Sequence, residues 1–256
     1  MKERITARRL TTSLVPHGLL RWSRRAVDHL TFPPDFSPEQ IALFQQVEPY
    51  TMTSPERIIG LYDAVTYVLD NNIVGDVVEC GVWRGGSMMT AALALLARKQ
   101  TRNMHLFDTY EGMPPPSAKD VAWTGHSAKE ILNSTDKKTG RNVWCIADQA
   151  DVQRNLAQTG YDLSHVRFVK GRVQDTLPEH APAHIALLRL DTDWYESTQH
   201  ELTHLYPRLV SGGVLILDDY GHWQGAKKAV DEYFENLRPR PLLSRVDNSG
   251  RIAIKP

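Results

Sequence analysis

The sequence has few cysteines, no long apolar run and no excess of charge of either sign. Only Cys80 and Cys145 occur among 256 residues, so no disulfide framework is expected and a reducing, cytoplasmic location is predicted. No apolar stretch is long enough to span a bilayer, and the charged first residues lack the apolar core of a signal peptide. Lys and Arg total 30 and Asp and Glu also total 30, so we expect no nucleic-acid partner.

Basic side chains are concentrated at the start of the chain, before the break at Pro33-Pro34. We interpret residues 1–45 as an N-terminal helical appendage and residues 46–256 as the main domain. The basic segment is typical of a solvated amphipathic helix, with an anionic membrane surface or a neighbouring subunit as the alternative contacts.

Short apolar strands alternate with helices in the main domain. Ser54 before Pro55 indicates a helix start, and further helices are predicted over 87–98, 196–209 and 225–237. Strands are predicted over 77–80, 104–107, 166–169, 185–190 and 214–217, followed by a C-terminal hairpin over 242–254. This order predicts an α/β, Rossmann-like fold with a mostly parallel seven-stranded sheet and helices on both faces.

Residues 111–162 interrupt the alternation. The interval contains Pro114-Pro115-Pro116 and a charged run at 136–138, and a helix over about 151–158 closes it. A connection of this length is typically a lid, a binding loop or a disordered segment. We therefore predict an insert that acts as a lid.

A glycine-rich turn runs from Glu79 to Ser87, directly after the first predicted strand. Gly81 and Gly85 let the backbone approach a ligand at a helix N-terminus, although a plain tight strand–helix connection gives the same pattern. A carboxylate at Glu79 would repel a pyrophosphate and attract the amino group of S-adenosylmethionine. Neither G-x-G-x-x-G nor a P-loop occurs, which disfavours dinucleotides and nucleoside triphosphates. We therefore predict that S-adenosylmethionine is lined by Glu79, Gly81, Gly85 and Ser87.

Asp108 ends the second predicted strand, where an acid can accept hydrogen bonds from ribose hydroxyls. Tyr110 follows it, and either packs on the adenine or is an ordinary loop aromatic. We predict that both belong to the cofactor site.

Three aspartates follow the fourth and fifth predicted strands. Because the carboxyl ends of parallel strands meet at one edge, Asp191, Asp218 and Asp219 should share a small volume. Their mutual repulsion requires a cation or shared protons, and hard oxygen ligands favour Mg²⁺, with Mn²⁺ or Ca²⁺ as alternatives. Asp193 is interpreted as a residue that only caps the following turn.

A divalent ion at this edge would suit transfer of a methyl group to a hydroxyl, since it lowers the hydroxyl pKa and orients it. A neighbouring carboxylate then takes the proton. Asp191 is the first candidate for this base and His222 the second, although His222 could equally be a loop histidine that contacts substrate or solvent.

Several segments together resemble the macrocin O-methyltransferase (TylF/MycF-like) family. The similarity covers roughly residues 46–237 and is carried by 50–54 (YTMTS), 79–87 (ECGVWRGGS), 190–195 (LDTDWY), 206–209 (YPRL) and 212–220 (GGVLILDDY).

The resemblance implies a class I methyltransferase fold and Mg²⁺ held by Asp191, Asp218 and Asp219. It implies that the segment containing Thr51 and Met52 closes over the cofactor. It also implies a sugar or glycoside acceptor and a homo-oligomer whose N-terminal segments help to build neighbouring sites.

Other readings stay open at the level of sequence. His200-Glu201-Leu202-Thr203-His204 matches the zinc-protease pattern H-E-x-x-H, but it lies on a predicted helix between two strands and has no convincing third ligand. Asp191-Thr192-Asp193 resembles the D-x-D of metal-dependent glycosyltransferases. A catechol-type phenolic acceptor and a non-catalytic binding protein on the same scaffold are the remaining alternatives.

Overall fold

The computed structural model describes residues 32–138 and 141–256, so the predicted basic segment up to residue 31 lies outside the described residues. Residues 42–256 form one compact unit. The predicted domain boundary at residue 45 falls inside the first described helix. The helices are α1 (Pro38–Val47), α2 (Pro55–Asp70), α3 (Gly86–Ala97), α4 (Ala128–Ser134), α5 (Gln149–Ala157), the single turn α6 (Val173–Thr176), α7 (Tyr195–Leu205) and α8 (Gln224–Glu235).

Seven strands form one sheet in the order β3-β2-β1-β4-β5-β7-β6. They are β1 (Asp76–Cys80), β2 (Met104–Asp108), β3 (Val166–Lys170), β4 (Ile185–Leu190), β5 (Leu209–Leu217), β6 (Ser244–Arg245) and β7 (Arg251–Ile254). The first five pair in parallel, whereas β7 runs antiparallel to β5 and β6. The predicted α/β class, the mostly parallel sheet and the C-terminal hairpin are confirmed.

The three central strands end level with one another. Cys80 pairs with Leu190 and Leu190 pairs with Leu217. The backbone continues this register by one residue, because Asp191 N donates to Cys80 O (2.8 Å) and Asp218 N donates to Leu190 O (3.0 Å). The turns after β1, β4 and β5 therefore leave the sheet side by side at its carboxyl edge.

Local signals explain most helix boundaries. The Ser54 hydroxyl accepts a hydrogen bond from Arg57 N, which caps α2 with Pro55 in its first turn. The predicted helix over 196–209 is too long, because α7 ends at Leu205 and β5 already begins at Leu209. Pro207 lies in the intervening 3-10 turn and has no N–H to continue an α-helix.

The insert over 111–162 is largely folded. It contains α4, which was not predicted from the sequence, and Ala122, Ala128 and Leu132 belong to a second hydrophobic cluster, separate from the larger one. Two buried tryptophans of the main domain, Trp194 and Trp223, lie in this second cluster with their ring centroids 5.0 Å apart. Pro114 O accepts a hydrogen bond from Trp194 Nε1 (2.9 Å), so the triple-proline segment is tied to the turn after β4.

None of the helices within the described ranges is both long and apolar enough to cross a membrane.

Candidate active site

A cavity of about 410 Å³ opens at the carboxyl edge of the sheet. Its walls come from the turns after β1, β2, β3, β4 and β5, from the segment before α2 and from the insert. The size is within the range of small-molecule sites. Nine of the residues predicted for the site line it: Thr51, Met52, Gly81, Ser87, Asp108, Asp191, Asp218, Asp219 and His222.

Asp108 lines the cavity and also fixes the glycine turn. One carboxylate oxygen accepts hydrogen bonds from Val82 N (2.6 Å) and Trp83 N (3.1 Å), and the other accepts one from Tyr110 N (2.7 Å). Burial raises the pKa of Asp108, and these backbone donors oppose the shift. The Asp108 carboxylate thus holds the turn after β1 to the end of β2, together with the backbone hydrogen bond from Gly81 N to Phe107 O (2.9 Å).

Three other residues predicted for the cofactor site do not line the cavity. Tyr110 is buried and its hydroxyl donates to Leu106 O (3.1 Å), so the ring is held against its own strand. Gly85 caps α3 at a positive φ of 89° and faces the insert, where an added Cβ would lie 3.1 Å from Val152 Cγ1. Glu79 is completely buried.

The Glu79 carboxylate is directed to an arginine. Its Oε1 accepts a hydrogen bond from Arg189 Nη1 (2.7 Å), while its Oε2 has no hydrogen-bond partner within the described part of the chain. Burial raises the pKa of Glu79 to about 7, against the opposing effect of the guanidinium.

The three predicted metal ligands come together. One carboxylate oxygen from each of Asp191, Asp218 and Asp219 lies within 4.8 Å of the others, and within the described ranges this is the one such cluster of three acidic, histidine or cysteine side chains. Burial raises the pKa of Asp191 and Asp219 well above the ordinary value, and repulsion from neighbouring carboxylates adds to it.

Arg189 lies at the centre of these acids. Its guanidinium donates to Glu79 (2.7 Å), to Asp191 Oδ2 (2.7 Å) and to Asp218 Oδ1 (2.5 Å), and the side chain is 2% exposed. The second oxygen of Asp218 forms an ion pair with Arg57, which is also bound to Asp247 (2.9 Å) in the hairpin. The acid cluster therefore carries its own partial charge compensation.

Asp193 does more than cap a turn. It has a positive φ of 65°, its carboxylate accepts a hydrogen bond from Trp223 Nε1 (2.6 Å), and its N–H donates to Asp219 Oδ2 (3.1 Å). Burial, with repulsion from Asp191, raises its pKa to about 7. Asp193 lines the cavity and links the turns after β4 and β5.

His222 lies on the cavity wall against Trp223, with ring centroids 4.8 Å apart. Burial, and then the positive charge of Arg57, lower the pKa of His222. The imidazole is therefore mostly uncharged at neutral pH, the state in which it can accept a proton. Both base candidates, Asp191 and His222, line the same cavity.

Comparison with known proteins identifies the chemistry. Residues 46–253 match the sequence model of the macrocin-O-methyltransferase (TylF) family. The chain belongs to this family. It is 35% identical over 207 residues to demethyldecarbamoylnovobiocin O-methyltransferase of Streptomyces niveus, with 78% of this chain and 74% of that protein covered.

Two further matches agree with this assignment. Mycinamicin III 3''-O-methyltransferase of Micromonospora griseorubida is 33% identical over 202 residues, which cover 78% of this chain and 76% of that protein. The structure of the O-methyltransferase NovP superposes with a TM-score of 0.70 at 32% identity and covers 80% of this chain and 82% of its own. The predicted family is confirmed, and the glycosyltransferase and non-catalytic readings are wrong.

The H-E-x-x-H match in this O-methyltransferase is a coincidence of helix sequence. Glu201 is fully buried and its Oε1 accepts a hydrogen bond from the Thr192 hydroxyl (2.8 Å) beneath the turn after β4. His200 and His204 contact each other with ring centroids 4.3 Å apart and ring planes tilted by 57°. The carboxylate is thus turned into the protein and away from a shared metal position.

The sequence analysis missed both arginines of this O-methyltransferase site. Arg189 had a usable signal, since it is a charged residue inside the otherwise apolar strand IALLRL and lies two residues before Asp191, on the same face of the strand. Arg57 had none, because its ion-pair partners lie 161 and 190 residues away.

Proposed function

We propose that this O-methyltransferase transfers the methyl group of S-adenosylmethionine to a hydroxyl of a sugar in a glycosylated natural product, with Mg²⁺ or Mn²⁺ at Asp191, Asp218 and Asp219. The observation that carries the proposal is the position of these three carboxylates and the glycine turn in one cavity, on adjacent strand ends. The predicted cytoplasmic location and homo-oligomer stay predictions.

The names of relatives support the acceptor class. One relative from Streptomyces olivaceus, 32% identical over 218 residues, methylates the 4' hydroxyl of a rhamnosyl tetracenomycin, and the Micromonospora relative acts at a 3'' position. These names favour a sugar hydroxyl over the catechol-type phenolic acceptor.

The cofactor half of the cavity fits S-adenosylmethionine, which when bound supplies a methyl group on a sulfonium centre. Gly81 and Ser87 line the start of α3, and Thr51 and Met52 cover them from the segment before α2. Asp108 Oδ1 accepts a short hydrogen bond from Tyr110 N (2.7 Å) and a long one from the Thr109 hydroxyl (3.4 Å), and a ribose hydroxyl would compete with the longer one. Glu79 acts through Arg189, as a positioning residue.

The acidic end fits a divalent cation. Glu79, Asp191, Asp193, Asp218 and Asp219 supply five carboxylates near two guanidiniums, those of Arg57 and Arg189. Burial, and then repulsion between these carboxylates, raise the pKa values of Asp191, Asp193 and Asp219, so a cation among them would relieve the repulsion, and carboxylate oxygens suit Mg²⁺ or Mn²⁺. The bound ion would supply a Lewis acid that lowers the pKa of an acceptor hydroxyl.

The proton of the acceptor hydroxyl passes to a side chain of this chain. Asp191 is our first candidate, because Arg189 Nη1 fixes its Oδ2 and its backbone N–H donates to Cys80 O at the start of the glycine turn. His222 is the second candidate, since it lines the cavity and its pKa is lowered.

The Asp219→Asn variant tests the proposal. The amide keeps an oxygen that can accept the hydrogen bond from Asp193 N, but removes the negative charge that a metal requires. Transfer of labelled methyl to a rhamnoside glycoside should fall about a hundredfold or more, equivalent to roughly 2.7 kcal/mol of barrier. S-adenosylhomocysteine should bind within about twofold of wild type.

The matched control is Asp70→Asn, on the exposed surface of α2, which should keep full activity. Wild-type transfer should also stop in EDTA and return with Mg²⁺. Undiminished transfer by Asp219→Asn, together with insensitivity to EDTA, would contradict the metal part of the proposal.

A further inference from the structure

One tryptophan beside the cavity is exposed although the neighbouring two are buried. The Trp123 side chain, in the insert, is 70% exposed, whereas Trp194 and Trp223 are each 3% exposed. An indole that stays in water loses the free energy that burial of its large apolar surface would give. Exposure of this kind commonly marks a binding surface.

The backbone places Trp123 opposite a residue of the cavity. Ala122 forms an antiparallel bridge with Trp223. On either side of this bridge, Trp123 N donates to His222 O (2.8 Å) and Gln224 N donates to Val121 O (2.9 Å). The backbones of Trp123 and His222, which lie in turns beside this isolated bridge, are therefore in direct contact.

Opposed residues of an antiparallel pair have side chains on the same face, and successive residues alternate between faces. Ala122 and Trp223 point into the hydrophobic cluster of the insert. Trp123 and His222 are the exposed neighbours of these two buried residues, and His222 lines the cavity. The exposed indole thus stands next to the cavity wall.

A second apolar side chain is exposed on the cavity wall itself. Met52 lines the cavity and is 41% exposed. We define Trp123 and Met52 as the apolar rim. The cavity therefore has an acidic end, formed by the turns after β4 and β5, and an exposed apolar side chain, Met52, on its wall, while Trp123 is hydrogen-bonded through its backbone to His222 of that wall.

The geometry points to the apolar rim as a subsite for the aglycone of the acceptor, with Trp123 stacking on an apolar, planar part of that aglycone. This inference rests on the proposed function. Sugar hydroxyls match the carboxylates of the acidic end, whereas a flat apolar group matches an indole face and a thioether.

Continuity with the acceptor cavity also favours the aglycone over a second copy of this chain. An occupant of the rim that is covalently linked to the reacting sugar gains effective concentration without any further contact. Trp123 then determines acceptor specificity by contacting the group attached to the sugar.

The test compares two acceptors that share one sugar, methyl α-L-rhamnoside and 4-nitrophenyl α-L-rhamnoside. Rates of methyl transfer are measured for wild type, Trp123→Ala, Trp123→Phe and the control Leu242→Ala, whose side chain is 83% exposed and outside the cavity lining. Trp123→Ala should lower kcat/KM for the aryl glycoside about tenfold through KM, with little change for the methyl glycoside. Trp123→Phe should recover most of the loss, and Leu242→Ala should behave as wild type.

Different outcomes separate the two claims. Equal losses on both rhamnosides, or none on either, would overturn the aglycone subsite and leave the proposed function intact. A shift in molar mass by light scattering with Trp123→Ala, without a change in KM, would assign the rim to a second copy instead. If wild type methylates neither these rhamnosides nor any other glycoside, the proposed function and this inference both fail.

Discussion

Arg189 shows how single residues hold the site together. One buried guanidinium compensates three carboxylates that come from the ends of three strands. Removing one partner of a buried ion pair leaves charge without compensation inside the protein, which is far more costly than losing an exposed pair.

Arg189→Met should therefore lower the free energy of unfolding by about 3–5 kcal/mol, the usual cost of breaking a buried pair. Urea unfolding at neutral pH measures it. The same substitution at Arg98, whose side chain and that of its partner Asp70 are 39% and 51% exposed, should cost at most about 1 kcal/mol. Equal unfolding midpoints for the two variants would contradict this role of Arg189.

At this scale the sequence predicts positions better than side-chain directions. Asp191, Asp218 and Asp219 could be found because they end strands whose carboxyl edges must meet. The sequence predicts Glu79 in the cofactor site from its charge at the glycine turn, and Tyr110 from its position after Asp108. Neither side chain lines the cavity. Whether a side chain at a strand end points to the cavity or into the sheet depends on partners such as Arg189, which local sequence does not specify.

Among the elements, the glycine turn shows how two segments come close. An added Cβ at Gly86 would lie 2.7 Å from Thr51 Cβ and 2.7 Å from Tyr50 O. The segment before α2, which lines the cavity, therefore lies directly on the first turn of α3.

Gly86→Ala should push this segment away and weaken binding of S-adenosylhomocysteine about tenfold, measured by calorimetry. Gly60→Ala, within α2, is the matched control. Its added Cβ would lie 3.5 Å from Val246 Cγ1, an ordinary van der Waals distance. Indistinguishable dissociation constants for the two variants would show that close packing at Gly86 has no part in ligand binding.

The strands could be predicted from their apolar pattern, and most helices from their apolar pattern and capping residues. α4 could also have been found, since Ser127 and Glu130 form a capping box, but the polar residues around it obscured the signal. The early start of β5 could not, because Leu209 pairs with Ile185 only through a shifted register with β4.

At the scale of the whole molecule, the cavity is formed by the strand ends of the sheet on one side and by the insert on another. The cluster around Trp194 and Trp223 joins the two, so the turns after β4 and β5 pack directly on the insert. This arrangement could not be predicted from sequence, because it depends on contacts between segments about 70 to 100 residues apart. The proposed methyl transfer requires that the cavity formed in this way binds S-adenosylmethionine.

Calorimetric titration of S-adenosylhomocysteine into the wild-type protein, with Mg²⁺ and again with EDTA, is the most direct measurement of that claim. We expect binding with a dissociation constant near the micromolar range, about −8 kcal/mol, under both conditions. No binding under either condition, with a nucleotide sugar bound in its place, would contradict the account.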